Sequence, residues 1–419
     1  MIKIGLGLLV VMAAVLGGDT VSNLNGDILM MATLLLFALA LPNLEIVRIG
    51  YGPLVFAGVA IFHIVLQLFP FGDMGILDFD RQLRGLFLTL SFAETFRVLL
   101  SFVTAFFIFL VTVSLGYSHA RGLLSFLYVA VYCNLLLGAV QFSSSAPVRP
   151  AFFDYPLAGG FFINQNHFST FLAMFIPFLI FSIFYEERKK FALATLCLLL
   201  LILLAAGSMA GVGLGLVVMV VSALALMERR RISIYAALGG LVLLGVYMIG
   251  LENRVSLESS VSQETRLQFA MTTISGIRSY FWTGVGYGTF ADAYPMFMQP
   301  NEIERWYVNH AHNDYLEIVF EGGVLALGLI LAYLVFYIRQ AMISWSDPFK
   351  RAAAISLAII LVHSIVDYPI RTYSLLFLFA MLNGVLFHRG KRVKMPKSKT
   401  LPIMVNGKEM AIPISPVSD

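Results

Sequence analysis

Charge is what this 419-residue chain has least of: Asp, Glu, Lys and Arg make up 12%, against 59% hydrophobic residues, and the mean hydropathy is +0.86. A soluble domain carries about 25% charged residues, so an ordinary water-exposed surface is excluded. Cysteine is almost missing. Cys133 and Cys197 both fall inside apolar stretches and neither has metal-ligand spacing, so they read as packing residues. Histidine is scarce too, with seven in all, and two of them crowd into one stretch, "NHAHNDYLEIVFEGG" at 309–323. No internal repeat or low-complexity tract is present.

The apolar residues are gathered into runs about 20 residues long, the length of a membrane crossing. Twelve such spans are expected, at 4–18, 28–44, 50–70, 95–116, 122–142, 167–185, 191–207, 210–227, 232–251, 315–338, 352–369 and 372–388. The first has a lysine before an apolar core but no clear small-residue cleavage site after it, so it is expected to remain as a helix. With the N-terminus in the cytoplasm, every basic run falls inside: Arg48, Arg121, "RKK" 188–190, "RRR" 229–231, Arg339, Lys350, Arg351 and "HRGKRVKMPKSK". All nine lysines are then cytoplasmic. The outward side carries arginines alone: 81, 84, 97, 149, 254, 266, 278, 305 and 371. A planar guanidinium suits paired hydrogen bonds to phosphate or carboxylate, although avoidance of lysine and snorkelling to the interface account for the set equally well. The net charge of +4 comes largely from the tail and points to the inner lipid leaflet, not to nucleic acid.

One membrane domain is expected over 1–390, with a large outward loop at 252–314 and smaller outer segments at 71–94 and 143–166. Residues 391–419 read as a loose cytoplasmic tail without an apolar period. Ionisable residues within the spans are rare and mark function. Glu94, Arg97, Glu317, Glu321, His363 and Asp367 all fall near outer helix ends, which suggests one cavity opening outward. A transporter more often places such groups at mid-depth between two related halves.

In "DYLE" the D-x-x-E spacing predicts a capping box, with Asp314 as the N-cap and Glu317 three residues on. His312 then stands beside the positive end of a helix, a place that attracts anions and favours an uncharged imidazole able to take a proton. A hydrogen-bonded loop histidine is the plainer account of the spacing. "GVGYG" at 284–288 lacks the strand–turn–helix context of a nucleotide fingerprint; Gly284, Gly286 and Gly288 are expected to permit tight turns or close approach. Trp282, Tyr287, Tyr294, Trp306 and Tyr307 read as an aromatic belt at the bilayer surface in preference to sugar platforms. Upstream, "GGFFINQNHFSTFLAMFIP" (159–177) places Asn164, Asn166 and His167 at a helix mouth, with Asn166 as a possible cap. In "HSIVDYPIR", His363 and Asp367 stand four apart, close enough on one helical face to satisfy each other. "DFD" (78–80) looks like a metal-binding D-x-D, a pattern that arises often by chance.

These motifs, in this order and each on the outward side, resemble the O-antigen ligase and polymerase family, the Wzy/WaaL-type membrane glycosyltransferases, over roughly 155–388. The resemblance implies an all-α, polytopic fold of the GT-C type in the bacterial inner membrane, with a periplasmic active face. It implies a donor glycan on undecaprenyl pyrophosphate and a sugar hydroxyl as acceptor, on lipid A–core for a ligase or on a growing chain for a polymerase. It further implies His312 as the base, followed by Asn313, Arg266 as a pyrophosphate contact, inversion at the sugar, and no metal or other cofactor. Asn166, His167 and Asn313 are expected at the substrate, with Asp314, Glu317, Gly286, Gly288, His363 and Asp367 in support. One departure stands out: in "GSMAG" (208–211 with Gly207), Met209 occupies a place where the family often has arginine. A thioether cannot bind pyrophosphate, so Arg278, Arg305 or Arg371 is expected to supply the second phosphate contact. Ligase is preferred to polymerase for the single large outer loop. A lipid-linked glycan flippase and a non-catalytic scaffold for polysaccharide-assembly proteins are the rivals from other classes.

Overall fold

A computed structural model describes residues 1–19, 24–44, 49–69, 88–144, 148–150, 153, 157–227, 234, 238–242, 245, 257–298, 308–388, 400–405 and 408–413. The chain divides into two units, Met1–His388 and Arg389–Asp419. Among the described residues of the first, the regular elements are helices, with isolated bridges at Gly18–Phe162 and Gly159–Phe162. Five of its helices are long and apolar enough to cross a membrane, Leu24–Asn43, Phe92–Ser114, Tyr117–Ser143, Gln165–Tyr185 and Asp314–Ile343, and shorter apolar helices accompany them. Large apolar side chains such as Leu35, Phe62, Leu201 and Val335 stand exposed on the outside, as a hydrocarbon solvent permits. Most of the expected span at 232–251 and the D-x-D stretch at 78–80 lie outside the described residues, as do Arg81, Arg84, Arg254, Arg305, Trp306 and Tyr307.

The elements that place the site are α3 (Tyr51–Gln67), α4 (Phe92–Ser114), α7 (Gln165–Tyr185), α9 (Met209–Leu226), α10 (Leu257–Tyr280), α12 (Asp314–Ile343), α13 (Pro348–His363) and α14 (Tyr373–Phe387). In chain order the remaining helices are α1 (Ile2–Leu16), α2 (Leu24–Ala40), α5 (Tyr117–Arg121), α6 (Leu124–Ser143), α8 (Lys189–Ala205) and α11 (Phe290–Ala293). Helix α7 is apolar on every side and buried along most of its length, packed by α8, α9 and α13, which is where an all-round apolar helix belongs. Polar caps start several of these helices. Asn164 accepts from Asn166 N (2.8 Å), Ser208 from Gly211 N (2.9 Å) and Asn313 from Leu316 N (3.0 Å). Two expected caps are thereby corrected: Asn164 caps α7 instead of Asn166, and Asn313 caps α12 instead of Asp314. In each case the short amide one or two residues earlier has the extended backbone a cap needs, which releases Asn166 and Asp314 for contacts elsewhere.

The segment between α9 and α12 contains α10 and α11 and docks against α12. Helix α12 is kinked at Gly323 (φ 62°, ψ −153°), and the "GVGYG" backbone lies against the kink, with Val285 N on Phe320 O (3.2 Å) and Gly286 N on Glu321 O (3.0 Å). Gln67 of α3 seals the junction: its Nε2 donates to Glu321 O (2.9 Å) and its Oε1 accepts from Tyr287 N (3.1 Å). A Cβ on Gly284 would stand 2.1 Å from Glu321 O, at a φ of +71°. Gly284→Ala should therefore cost about 1–3 kcal/mol in thermal unfolding of the purified protein. Gly328→Ala, where a Cβ meets nothing within 4 Å, is the control; equal melting of the two variants would refute the docking.

Two sequence expectations change here. Tyr287 and Tyr294 are buried, at 8% and 1% exposure, and do not form an aromatic belt: Tyr294 joins the loop's own core, and Tyr287 packs on Ile64 of α3 and Ala326 of α12 with its hydroxyl 3.2 Å from His63 Nδ1. Of these aromatics, Trp282 alone is exposed among the described residues. The tail is not simply loose. Thr400–Val405 pairs antiparallel with Lys408–Pro413, Val405 opposite Lys408, as a two-stranded sheet in the second unit.

Candidate functional site

Asp367 lies beyond the end of α13 and is fully buried, yet four groups from three parts of the chain converge on it. Asn166 Nδ2 donates to Oδ2 (2.7 Å), Tyr368 N donates to Oδ1 (3.0 Å), and His312 Nδ1 lies 3.3 Å from Oδ1. His167 Nε2 stands 3.9 Å from Oδ1. Burial pushes this carboxyl up, but the hydrogen bond from His312 and the fields of His167, His363 and His312 outweigh it and hold it below the usual carboxylate range. An ionised Asp367 makes Nδ1 of His312 the donor and leaves Nε2 as the acceptor, the arrangement a general base needs.

His312 is the single non-glycine residue with positive φ (50°) among the described residues. A left-handed backbone at a non-glycine position is strained and concentrates at functional sites. Phe269 of α10 stacks on its ring at 6.1 Å, and Tyr368 meets it edge-on at 4.9 Å. Arg266, one turn before Phe269, donates Nη1 to Val366 O (3.3 Å). His312 and Arg266 thus meet on adjacent residues of one strand of chain, 366–367. His363 and Asp367 lie as near each other as expected: α13 ends at His363, but Asp367 N still donates to His363 O (3.0 Å), and His363 Nε2 stands 3.9 Å from Oδ2. His363 Nδ1 also contacts Thr170 Oγ1 of α7.

A second histidine–carboxylate pair lies on the other contact of Tyr368. His310 stacks on that ring at 4.1 Å, and its Nδ1 is 2.8 Å from Glu317 Oε1. Glu317 Oε2 accepts from Ala311 N (2.8 Å) and so fixes the histidine loop, without closing back on the cap as the D-x-x-E pattern suggested. Arg371 gathers the carboxylates of α12, with Nη2 on Glu321 Oε2 (2.8 Å) and Nε near Glu317 Oε1 (3.4 Å) and Asp314 Oδ1 (3.7 Å). Burial pushes the guanidinium down, but Glu321, Glu317 and Asp314 more than reverse this and raise it. Asp314 Oδ2 accepts from Ser364 Oγ (2.8 Å) and Ile370 N (3.3 Å). A cavity of about 590 Å³ opens beside this cluster; its wall includes His310 but not His312.

The other expected residues divide. Asn166 and His167 join the Asp367 hub, and Asn166 Oδ1 accepts from Ser208 Oγ (2.7 Å), which ties α7 to α9. Asn313 donates Nδ2 to Ile365 O (2.7 Å) while capping α12, so its role is to hold the loop. Gly286 and Gly288, with φ of 110° and 82°, shape the docked loop. Arg278 is exposed near the far end of α10, about 18 Å along the helix from Arg266, and does not join it. Arg371 turns Nε and Nη2 to three carboxylates, which offset its charge as a second phosphate contact. The Met209 side chain lies outside the described residues. Tyr368, which touches His167, His310 and His312, went unnoticed in the sequence, although it stands within "VDYPIR".

No curated protein matches the chain. A family model described as Wzy_C, O-Antigen ligase, matches residues 191–331, about a third of the chain. The matched segment contains Arg266, the glycine loop, His310, His312 and the carboxylates of α12. Their partners Asn166, His167, Asp367 and Arg371 come from outside it, brought in by α7 and the turn after α13. Over residues 191–331 the chain is therefore similar to the O-antigen ligase family.

Proposed function

We propose that the protein is a membrane glycosyltransferase of the GT-C type that moves a glycan from undecaprenyl pyrophosphate to a sugar hydroxyl on the periplasmic face of the bacterial inner membrane. Ligation to lipid A–core or another surface glycan is the reading adopted, with chain polymerisation as the alternative. The observation that carries it is the His312–Asp367 pair beside Arg266. His312 Nε2 takes the acceptor proton; the acceptor oxygen forms a bond to the anomeric carbon from the face opposite the leaving group. The bond from that carbon to the pyrophosphate oxygen breaks, and the electron pair leaves with the diphosphate. The configuration inverts, and the imidazolium returns its proton to water. Arg266 meets the growing negative charge on the diphosphate, a task guanidinium groups perform without a metal.

A second assignment of the base has its own support. His310 is oriented by Glu317 as His312 is by Asp367, and it is His310 that borders the cavity. The transferase reading itself is tested by reconstitution of the full chain with a polyprenyl-pyrophosphate glycan and a glycan acceptor. Release of polyprenyl pyrophosphate together with an elongated acceptor is expected. Lipid translocation with no bond broken would make it a flippase, and neither result would make it a scaffold.

A further inference from the structure

"GSMAG" stands out in the sequence for its methionine, but the side chain that reaches the site from this stretch is Ser208. Its neighbours bring it there. Gly207, at a φ of +70°, turns the chain into α9, and Ser208 caps that helix. A Cβ on Gly211 would run into Ser169 Cβ of α7, so a glycine there lets the two helices close. Ser208 is buried as a result, with Oγ 2.7 Å from Asn166 Oδ1.

The direction of each bond follows from the next. An ionised Asp367 only accepts, so Asn166 must turn Nδ2 to it (2.7 Å) and Oδ1 away. Oδ1 then needs a donor. Ser208 Oγ already accepts from Gly211 N (2.9 Å), and its own proton goes to Asn166 Oδ1. A hydroxyl thus orients an amide, and the amide holds one oxygen of a carboxylate. The other oxygen faces His312 Nδ1 at 3.3 Å.

That hold matters because Asp367 has other mates within reach. His167 Nε2 stands 3.9 Å from Oδ1 and His363 Nε2 3.9 Å from Oδ2. Both nitrogens are buried and have no hydrogen-bond partner among the described residues. Leaving buried polar atoms so is costly, and a carboxylate set loose beside them would turn to them and away from His312.

From this chain of bonds we infer that Ser208 is a positioning residue: through Asn166 and Asp367 it fixes His312 with Nδ1 protonated and Nε2 bare, and it touches no substrate itself. Asn166, expected at the substrate, is the middle link. The part of Ser208 in transfer rests on the reading of His312 as the base; the tautomer it sets does not.

The test follows the ring nitrogens of His312 by solid-state NMR of the full chain in lipid bilayers, with histidine isotopically labelled at nitrogen. His312→Gln identifies the signal among the seven histidines. The native chain is expected to show one tautomer, with the proton on Nδ1. Ser208→Ala should give a mixture of tautomers and lower kcat about 10–10²-fold with KM little changed, the scale of a misplaced catalytic group. Ser208→Thr keeps the hydroxyl and should restore both. Asn166→Ala, one link nearer, should reproduce Ser208→Ala and replaces it if that variant does not fold. Asp347→Ala, which removes the cap at the far end of α13, controls for a lost cap and should leave the tautomer single. A mixture in the native chain, or a single tautomer in Ser208→Ala and Asn166→Ala, overturns the inference. So does a mixture that Ser208→Thr does not cure or that Asp347→Ala also produces. A native chain with the single tautomer, lost in Ser208→Ala, that transfers no glycan keeps this positioning role and loses the proposed activity.

Discussion

His312→Ala is expected to lower glycan transfer roughly 10²–10⁴-fold, the usual worth of a positioned general base, while the protein remains inserted and folded. The fold should survive because the imidazole is partly exposed, at 23%, and its removal leaves Asp367 with Asn166 and the Tyr368 amide as donors. Alanine also tolerates the φ of +50° less well than glycine, so His312→Gly is the companion variant that relieves backbone strain without restoring a base. Both should be equally inactive with kcat lost and KM little changed, since the group acts on the transition state. His310→Ala run alongside separates the two candidate bases. Near-normal transfer in His312→Ala combined with collapse in His310→Ala would move the chemistry to the Glu317 pair.

Arg371→Ala should be the most destabilising single change in the described fold. It strips the cation from three buried carboxylates, Asp314, Glu317 and Glu321, each at 0–1% exposure. Breaking one buried pair costs about 3–5 kcal/mol because the remaining charge is left uncompensated. Thermal unfolding in nanodiscs measures the effect. Pairing the variant with Glu321→Gln should recover part of the loss, because the 2.8 Å contact partner is then neutral, and a double-mutant cycle gives the coupling. If Arg371→Ala melts like the wild-type chain but loses diphosphate affinity, the guanidinium is a substrate contact and not a structural counter-ion.

The membrane character was plain in the sequence because it follows from local composition: long apolar runs and few charges. So was the crowding in "NHAHNDYLEIVFEGG", where scarce histidines meet acids at the start of a long apolar helix. Helix caps were harder. Asn164 against Asn166 and Asn313 against Asp314 differ by a residue or two, and the choice turns on backbone angles that spacing does not reveal. The pairing of Thr400–Val405 with Lys408–Pro413 has a local sequence signal, since β-prone residues flank an Asn-Gly pair.

Spacing along a helix could propose His363 as the mate of Asp367, because contacts at i and i+4 are local. The two do lie close, 3.9 Å apart, but spacing could not reveal that Asp367 also turns to His312 and Asn166, 55 and 201 residues away. Those partners meet because α7, α12 and α13 pack so that the start of α7, the start of α12 and the end of α13 share one buried pocket. The same packing decides which arginine is free. Arg371 and Arg266 look alike in the chain, yet one is surrounded by carboxylates and the other only touches a carbonyl. Residue types set which chemistries were open to this protein; packing over long sequence separations chose among them, because burial and distance decide whether a charge is neutralised or left to act.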